Sequence, residues 1–149
     1  MGITHAFTNP KADGGDTTVV RPVDWNAEHV MTSVISVVFD GGTSTITGNP
    51  EVDVTVPAAG TITGYTLLAD AAGGAVVDIW NDTYANYPPT VADTITASAK
   101  PTLSTAAKAT DTTLTGWDKT LAAGDILRFH LDSSSTVKRL ELTLTYTRS

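Results

Sequence analysis

Threonine is the residue that most limits how this chain can fold. It occurs 27 times among 149 residues, whereas glutamate occurs three times and glutamine is absent. Threonine branches at Cβ and packs well on the pleated surface of a sheet, while the straight-chain residues that fill exposed helical faces are scarce. The composition therefore predicts a protein built from β-strands.

Alternation of apolar and polar residues places the clearest strands. It is strongest in three segments, 51–57, 126–132 and 137–149, where every second residue is apolar, as in a strand with one buried face. The predicted buried side chains are Val52, Val54, Val56, Leu127, Phe129, Leu131, Leu140, Leu142, Leu144 and Tyr146.

Turn residues divide the rest of the chain. A strand over 33–40 ends at a Gly-Gly pair, and segments 61–70 and 75–82 flank an Ala-Ala-Gly-Gly turn, which predicts a hairpin. After residue 82 the pattern is irregular, with short strands expected near Ile95 and Leu103. A further strand is expected at 112–117, and the serine-rich 132–136 is expected to be a hairpin loop.

Seven to nine such strands predict an all-β fold. We expect an antiparallel two-sheet sandwich over residues 33–149, and we favour a jelly roll over an immunoglobulin-like fold, although strand number does not fix connectivity. A chain of this length needs no second folded domain.

The first 32 residues differ from the rest and predict an extended N-terminal arm. They are polar, contain Pro10 and Pro22, and offer too little apolar surface to compensate for the entropy lost on ordering. Asp24 is expected to cap a short helical turn at 24–30. We therefore expect the arm to be held by a partner, through apolar anchors drawn from Ile3, Phe7, Val19, Val20, Val23 and Trp25.

Charge and composition exclude several classes of function. A net charge of -7 and nine scattered Lys and Arg residues do not fit a nucleic-acid partner. The absence of cysteine excludes disulfides and thiol nucleophiles, and no apolar run approaches the length of a membrane span. The N-terminus does not read as a secretory signal, so assembly in a host cytoplasm is expected.

No constellation of residues predicts catalysis, a cofactor or a metal. His5, His29 and His130 have no metal-binding spacing, and no glycine-flanked serine elbow occurs. The carboxylates Asp78 and Asp82 flank Trp80, but Asp78 is expected to be exposed and Asp82 to cap a turn. The aspartates Asp13, Asp16 and Asp40, considered for calcium, are better explained as turn residues.

The most distinctive segment is the aromatic loop at 80–89. Trp80, Tyr84 and Tyr87 bring three amphipathic rings close together in sequence, which is typical of a protein interface or a sugar-binding platform. The alternative is that the rings cover the open edge of the sandwich.

The sequence also resembles proteins of bacteriophage particles. The leading "THAFTNPKADGGDTTVVRPVDWNAEHV" resembles the N-terminal segment of many phage tail-fibre and appendage proteins. The segment from "VVDIWNDTYANYPP" to "LELTLTYTR" resembles a domain recurrent among phage and prophage structural proteins. Together the two segments cover nearly all of the chain.

The resemblance implies a virion protein that is not an enzyme, with the arm serving attachment. Tail fibres are usually much longer, so a capsid decoration or cement protein is expected, with the phage major capsid protein or another virion protein as partner. A homo-oligomer is expected, and a trimer would suit local threefold positions. The contact residues expected are Phe7, Val20, Trp25, Trp80, Tyr84 and Tyr87.

Two other functions remain open at this stage. A carbohydrate-binding tail-fibre or appendage module would use Trp80, Tyr84, Tyr87 and Trp117 to stack on a surface glycan. An enzyme that degrades host polysaccharide ranks last, since its acid and base cannot be named.

Overall fold

A computed structural model describes Gly15 and residues 29–149 of the chain. Within these residues, two 3₁₀ turns interrupt an otherwise all-β fold, so the predicted fold class is confirmed. The strands are β1 (Thr32–Asp40), β2 (Glu51–Thr55), β3 (Gly60–Asp82), β4 (Thr102–Asp111), β5 (Thr120–Leu121), β6 (Ile126–Ser135) and β7 (Arg139–Arg148). The 3₁₀ turns are Tyr84–Asn86 and Val91–Asp93.

The seven strands form one antiparallel sheet that curls around a single core. Its order is β1-β7-β3-β6-β2. Strands β4 and β5 pair with the edge of β3 that is opposite β7 and β6. Strand β3 pairs first with β7, up to Ala69, and then with β6, from Gly74 onward. The finer expectation, a two-sheet jelly-roll sandwich, stays a prediction.

The predicted hairpin at residues 61–82 is wrong, because β3 runs through the Ala-Ala-Gly-Gly segment as one strand of 23 residues. A tight hairpin turn needs a positive φ, and neither Gly73 nor Gly74 has one. The glycine at 73 instead lets β3 approach the end of β6, where a Cβ would collide with the backbone oxygen of Ser135. The sheet bends here and the pairing partner changes from β7 to β6.

The predicted buried faces of β6 and β7 are confirmed, and the core follows their alternation. Leu140, Leu142 and Leu144 have no exposed surface. In β3 the apolar side chains of the core change from even to odd positions after Ile62, because the pairing with β7 shifts by one residue between Ile62 and Gly64. Val52 and Val54 of β2 are half-buried against the same core.

Two smaller expectations are wrong. Residues 112–117 form a loop, because the Asp111 carboxylate accepts hydrogen bonds from the backbone N–H groups of Thr113 and Leu114 and turns the chain. The serines at 133–135 belong to β6, and a bend at 136–138 leads into β7, which continues along β3 in the same direction as β6.

Most of the predicted arm lies outside the described residues, including Pro10, Pro22, Asp24 and all six candidate anchors. Its division from the β domain near residue 32, where β1 begins, stays a prediction. None of the described helical segments is long and apolar enough to cross a bilayer.

Candidate interaction surfaces

The outer face of β2, β6 and the second half of β3 carries rows of charged and aromatic side chains. Strand pairing places Glu51 opposite His130, and His130 opposite Asp78. The next row contains Asp53, Arg128 and Trp80. The opposite face of the same strands holds the core, so the period-two pattern alone brings these side chains together.

Asp78 fastens the segment that follows β3 onto this face. It is 1% exposed and accepts hydrogen bonds from the hydroxyls of Thr94 at 2.6 Å and Thr96 at 2.7 Å. The Lys100 ammonium lies 2.9 Å from its second oxygen. Residues 83–101 therefore cover a side chain that was expected to be exposed.

These contacts keep Asp78 ionised. Burial by itself raises the pKa of a carboxyl, but the hydrogen bonds from Thr94, Thr96 and Lys100 outweigh it and lower the pKa of Asp78 to about 2. The ammonium of Lys100 also lies 2.7 Å from Asp132, and these acceptors raise the pKa of Lys100. One ammonium group therefore bridges two carboxylates.

The network continues through His130. Its Nδ1 lies 2.8 Å from the Asp132 carboxylate, and its ring stacks on Trp80 with centroids 4.8 Å apart. Trp80 is 8% exposed, so its ring is not available at the described surface.

Arg128 forms the second cluster on this face. Its guanidinium donates two hydrogen bonds of 2.7 Å to Asp53 and lies 2.9 Å from Glu51. The Tyr87 hydroxyl donates to Asp53 at 2.9 Å, and the Tyr87 ring lies against the guanidinium at 5.8 Å. The hydrogen bond from Arg128 lowers the pKa of Asp53, and the carboxylate of Asp53 raises the pKa of Tyr87.

The exposed large apolar side chains of the described residues fall into two groups. The first, which we call the loop surface, consists of Tyr84, Tyr87 and Val91, which are 78%, 54% and 64% exposed. Tyr84 and Tyr87 border a shallow depression of about 260 Å³ beside Asp53 and Ile126.

The second group, which we call the edge surface, consists of Val30, Val34, Val38 and Leu68. Val34 and Val38 lie on the outer side of β1, and Leu68 lies on β3 in the same row as Val38, separated from it by Glu141 of β7. Their exposed fractions, in chain order, are 74%, 60%, 51% and 47%.

Asp53 and Asp78 do not have the electrostatic setting of a general acid. A general acid requires a carboxyl whose pKa is raised towards neutrality, whereas the pKa values of Asp53 and Asp78 are lowered. Asp82 accepts hydrogen bonds from the Thr83 N–H and the Asn86 amide, so it acts as a turn residue as predicted. In the described part of the chain no group of three His, Asp or Glu side chains is placed to hold a metal ion.

The predicted contact residues separate into three sets. Phe7, Val20 and Trp25 lie outside the described residues, Trp80 is buried, and Tyr84 and Tyr87 are exposed on the loop surface. Partner contact by the exposed pair stays a prediction.

Trp117, expected as a stacking platform in the carbohydrate alternative, is also buried. It is 7% exposed, its ring stacks on Tyr65 at 5.7 Å, and its indole N–H donates to the Ala99 carbonyl.

The sequence did not predict the ion pair between Asp78 and Lys100, because residues 22 apart in an irregular segment give no periodic signal. It also missed the edge surface, although the outward valines of "SVISVVFD" were visible in the sequence.

The similarity of this chain to known proteins is low. No protein-family model and no curated protein matches it. A chain of the cyanophage Pam1 capsid asymmetric unit is similar at 19% identity, covering 80% of this chain and 85% of the other, with a TM-score of 0.33. A chain of infectious bursal disease virus, Gx strain, has 13% identity, covers 100% of this chain and 42% of the other, and gives a TM-score of 0.23. Both TM-scores are too low to carry an argument.

Proposed function

We propose that this chain is a non-enzymatic structural protein of a bacteriophage particle. Its most specific form is a capsid decoration or cement protein, which attaches through residues 1–32 and packs its β domain against neighbouring subunits. The observation that carries the proposal is the separation of two exposed apolar surfaces on one β domain, in which Asp78 and Arg128 are each ion-paired within the domain. Large apolar side chains left exposed in groups are typical of contact between proteins.

The phage context comes from the sequence resemblance of the arm and the β domain, since the two structural similarities are too weak to support it. Attachment would stabilise the particle by burying protein surface at each contact between the chain and its neighbours. A standard interface removes about 1,600 Å² from water, and many copies around a shell stabilise it together without any single contact being strong.

The arm is tested by the double substitution Phe7→Ala and Trp25→Ala in the full chain. We expect the copy number on purified heads, measured by quantitative mass spectrometry of particles from the phage that encodes the chain, to fall at least tenfold, because two apolar anchors are lost. Thr115→Ala, at an exposed loop position outside the arm and outside both apolar surfaces, is the matched control and should leave more than half of the copies in place. Recovery of the chain in tails alone, or in no particle fraction, would contradict the decoration assignment.

A carbohydrate-binding module is the second candidate, and the loop surface is the observation in its favour. Two exposed tyrosine rings border a depression that also contains the carboxylate of Asp53, which is the combination of stacking face and hydrogen-bond acceptor that a sugar needs. On this alternative, Tyr84→Ala should abolish binding on a glycan array while the arm double variant retains it. Absence of glycan binding by the parent chain would exclude the module.

A further inference from the structure

We propose that two copies of this chain pair through the free edge of β1, antiparallel, so that the sheet continues across a twofold axis. Strand β1 ends the strand order, with β7 on one side. No other strand of the described residues pairs with its second edge. Its backbone N–H and C=O groups on that side are therefore a template for one more strand.

The edge of β1 has none of the features that prevent strands from pairing. Its nine residues, "TSVISVVFD", contain no proline, glycine, lysine or arginine, and the charge at Asp40 comes at the very end. The valines at 34 and 38 are large and more than half exposed on its outer side. A strand edge of this length, with outward valines and no charge before its last residue, favours association with another strand.

The outer edges of β2 and β4 are protected. Strand β2 has five residues, carries Glu51 and Asp53 on its outer face, and lies between Pro50 and Pro57. Strand β4 follows Pro101, carries Lys108, and is broken by the left-handed backbone of Thr105, at φ 52°. Prolines, charges and irregular backbone are the usual means of blocking a sheet edge. Only β1, among these edges, lacks them.

The sequence of β1 is complementary to itself, which is what a second copy requires. In an antiparallel pair centred on Ser36, each Val34 faces Val38 of the partner subunit on the outer side. Ile35 faces Val37 of the partner subunit on the core side. Aliphatic pairs directly opposite each other across strands are favourable. A shift of the centre by one residue would place Val34 opposite Asp40 or Ser36.

Charge opposes association of two copies in general, but it favours this register over the alternatives. Each copy carries a net charge of -7, so two copies repel wherever their acidic groups meet. In the register centred on Ser36, the sole acidic residue of β1, Asp40, faces Thr32 of the partner subunit, and its charge is already paired with Arg139 at 3.2 Å. Two β2 edges, in contrast, would bring Glu51 and Asp53 of both copies together.

The test is the molar mass of the full chain in solution, by light scattering or sedimentation. The parent should reach twice its 15.5 kDa mass as concentration rises. The double substitution Val34→Lys and Val38→Lys puts four ammonium groups at the seam and should raise the dimer Kd at least tenfold. The matched control is Leu68→Lys, which adds a charge to the same face but on a central strand, and its Kd should stay within about twofold of the parent's.

Folding and other occupants are distinguished within the same experiment. Val34→Lys alone provides a milder variant and should raise the Kd less, and circular dichroism establishes that each variant is folded. A parent that stays monomeric would overturn the proposal. A monomer whose β1 amides resist hydrogen exchange at every concentration would identify the chain's own leading segment as the occupant. Undiminished dimerisation of the double variant would place the seam elsewhere. None of these outcomes depends on the copy number in a particle, so failure of the dimer proposal can be told apart from failure of the phage assignment.

Discussion

Asp78 shows how a single buried charge can hold an irregular segment in place. Its side chain is 1% exposed, and an unpaired carboxylate at such a site would cost several kcal/mol. The Ile79 backbone N–H donates to it, and two hydroxyls and one ammonium from the segment between β3 and β4 complete its contacts. The position of the loop surface therefore depends on one residue of the sheet.

Asp78→Asn should lower the free energy of unfolding by about 2–4 kcal/mol, because it leaves Lys100 with one partner fewer and replaces an acceptor oxygen with a donor. Urea denaturation monitored by tryptophan fluorescence measures the change. Asp118→Asn is the matched control, an exposed aspartate that accepts one backbone hydrogen bond from Thr120, and it should cost less than about 1 kcal/mol. Equal losses in the two variants would contradict a special role for Asp78.

The same carboxylate predicts a dependence of stability on acid. Its pKa is lowered from the ordinary 3.8 to about 2 in the folded state, so its contribution is complete above pH 4 and is lost as the pH falls through 2. At about 1.4 kcal/mol per pKa unit, the contribution is about 2 kcal/mol. Unfolding free energies measured from pH 5 to pH 2 should fall more steeply for the parent than for Asp78→Asn. Parallel profiles would show that the charge is not stabilising.

At the scale of elements, the bend of β3 is the feature that organises the sheet. Gly73 lies where the pairing partner changes from β7 to β6, and a side chain there would strike the backbone oxygen of Ser135 and the hydroxyl of Thr136. Its neighbour Gly74 is less crowded, since the nearest atom to a Cβ is the Ser135 hydroxyl at 2.9 Å, which can rotate away.

Gly73→Ala should therefore destabilise the protein by at least about 2 kcal/mol, because the added methyl group forces the two strands apart. Gly74→Ala is the adjacent control and should cost less than half as much. Thermal unfolding followed by circular dichroism compares them, and a neutral Gly73→Ala would show that the close approach is not needed.

Sequence reasoning succeeded where side chains alternate over a regular strand and failed where the backbone is irregular. The buried faces of β6 and β7 follow from period two alone. A glycine pair such as 73–74 is compatible either with a tight turn or with a close approach of two strands. Which of the two occurs depends on the pairing of β3 with β4 and β6, and the local sequence does not encode that pairing. The burial of Trp80, and the pairing of Asp78 with Lys100, likewise depend on where residues 83–101 lie.

At the scale of the whole molecule, the acidic charge should oppose association of two copies at a distance. Raising the salt concentration from about 0.01 M to about 0.1 M shortens the screening length from about 30 Å to about 10 Å. Since the proposed seam contains no ion pair between copies, the dimer Kd should decrease over this range. Sedimentation equilibrium at both concentrations measures it. A Kd that increases with salt would indicate an interface held by opposite charges.

Strand β3 belongs to both halves of the curled sheet, because β7 and β1 depend on its first part and β6 and β2 on its second. Separation of either half from β3 would expose the core that the two halves share. Melting should consequently be a single cooperative transition, and a cut within residues 60–82 should yield two fragments that do not fold separately.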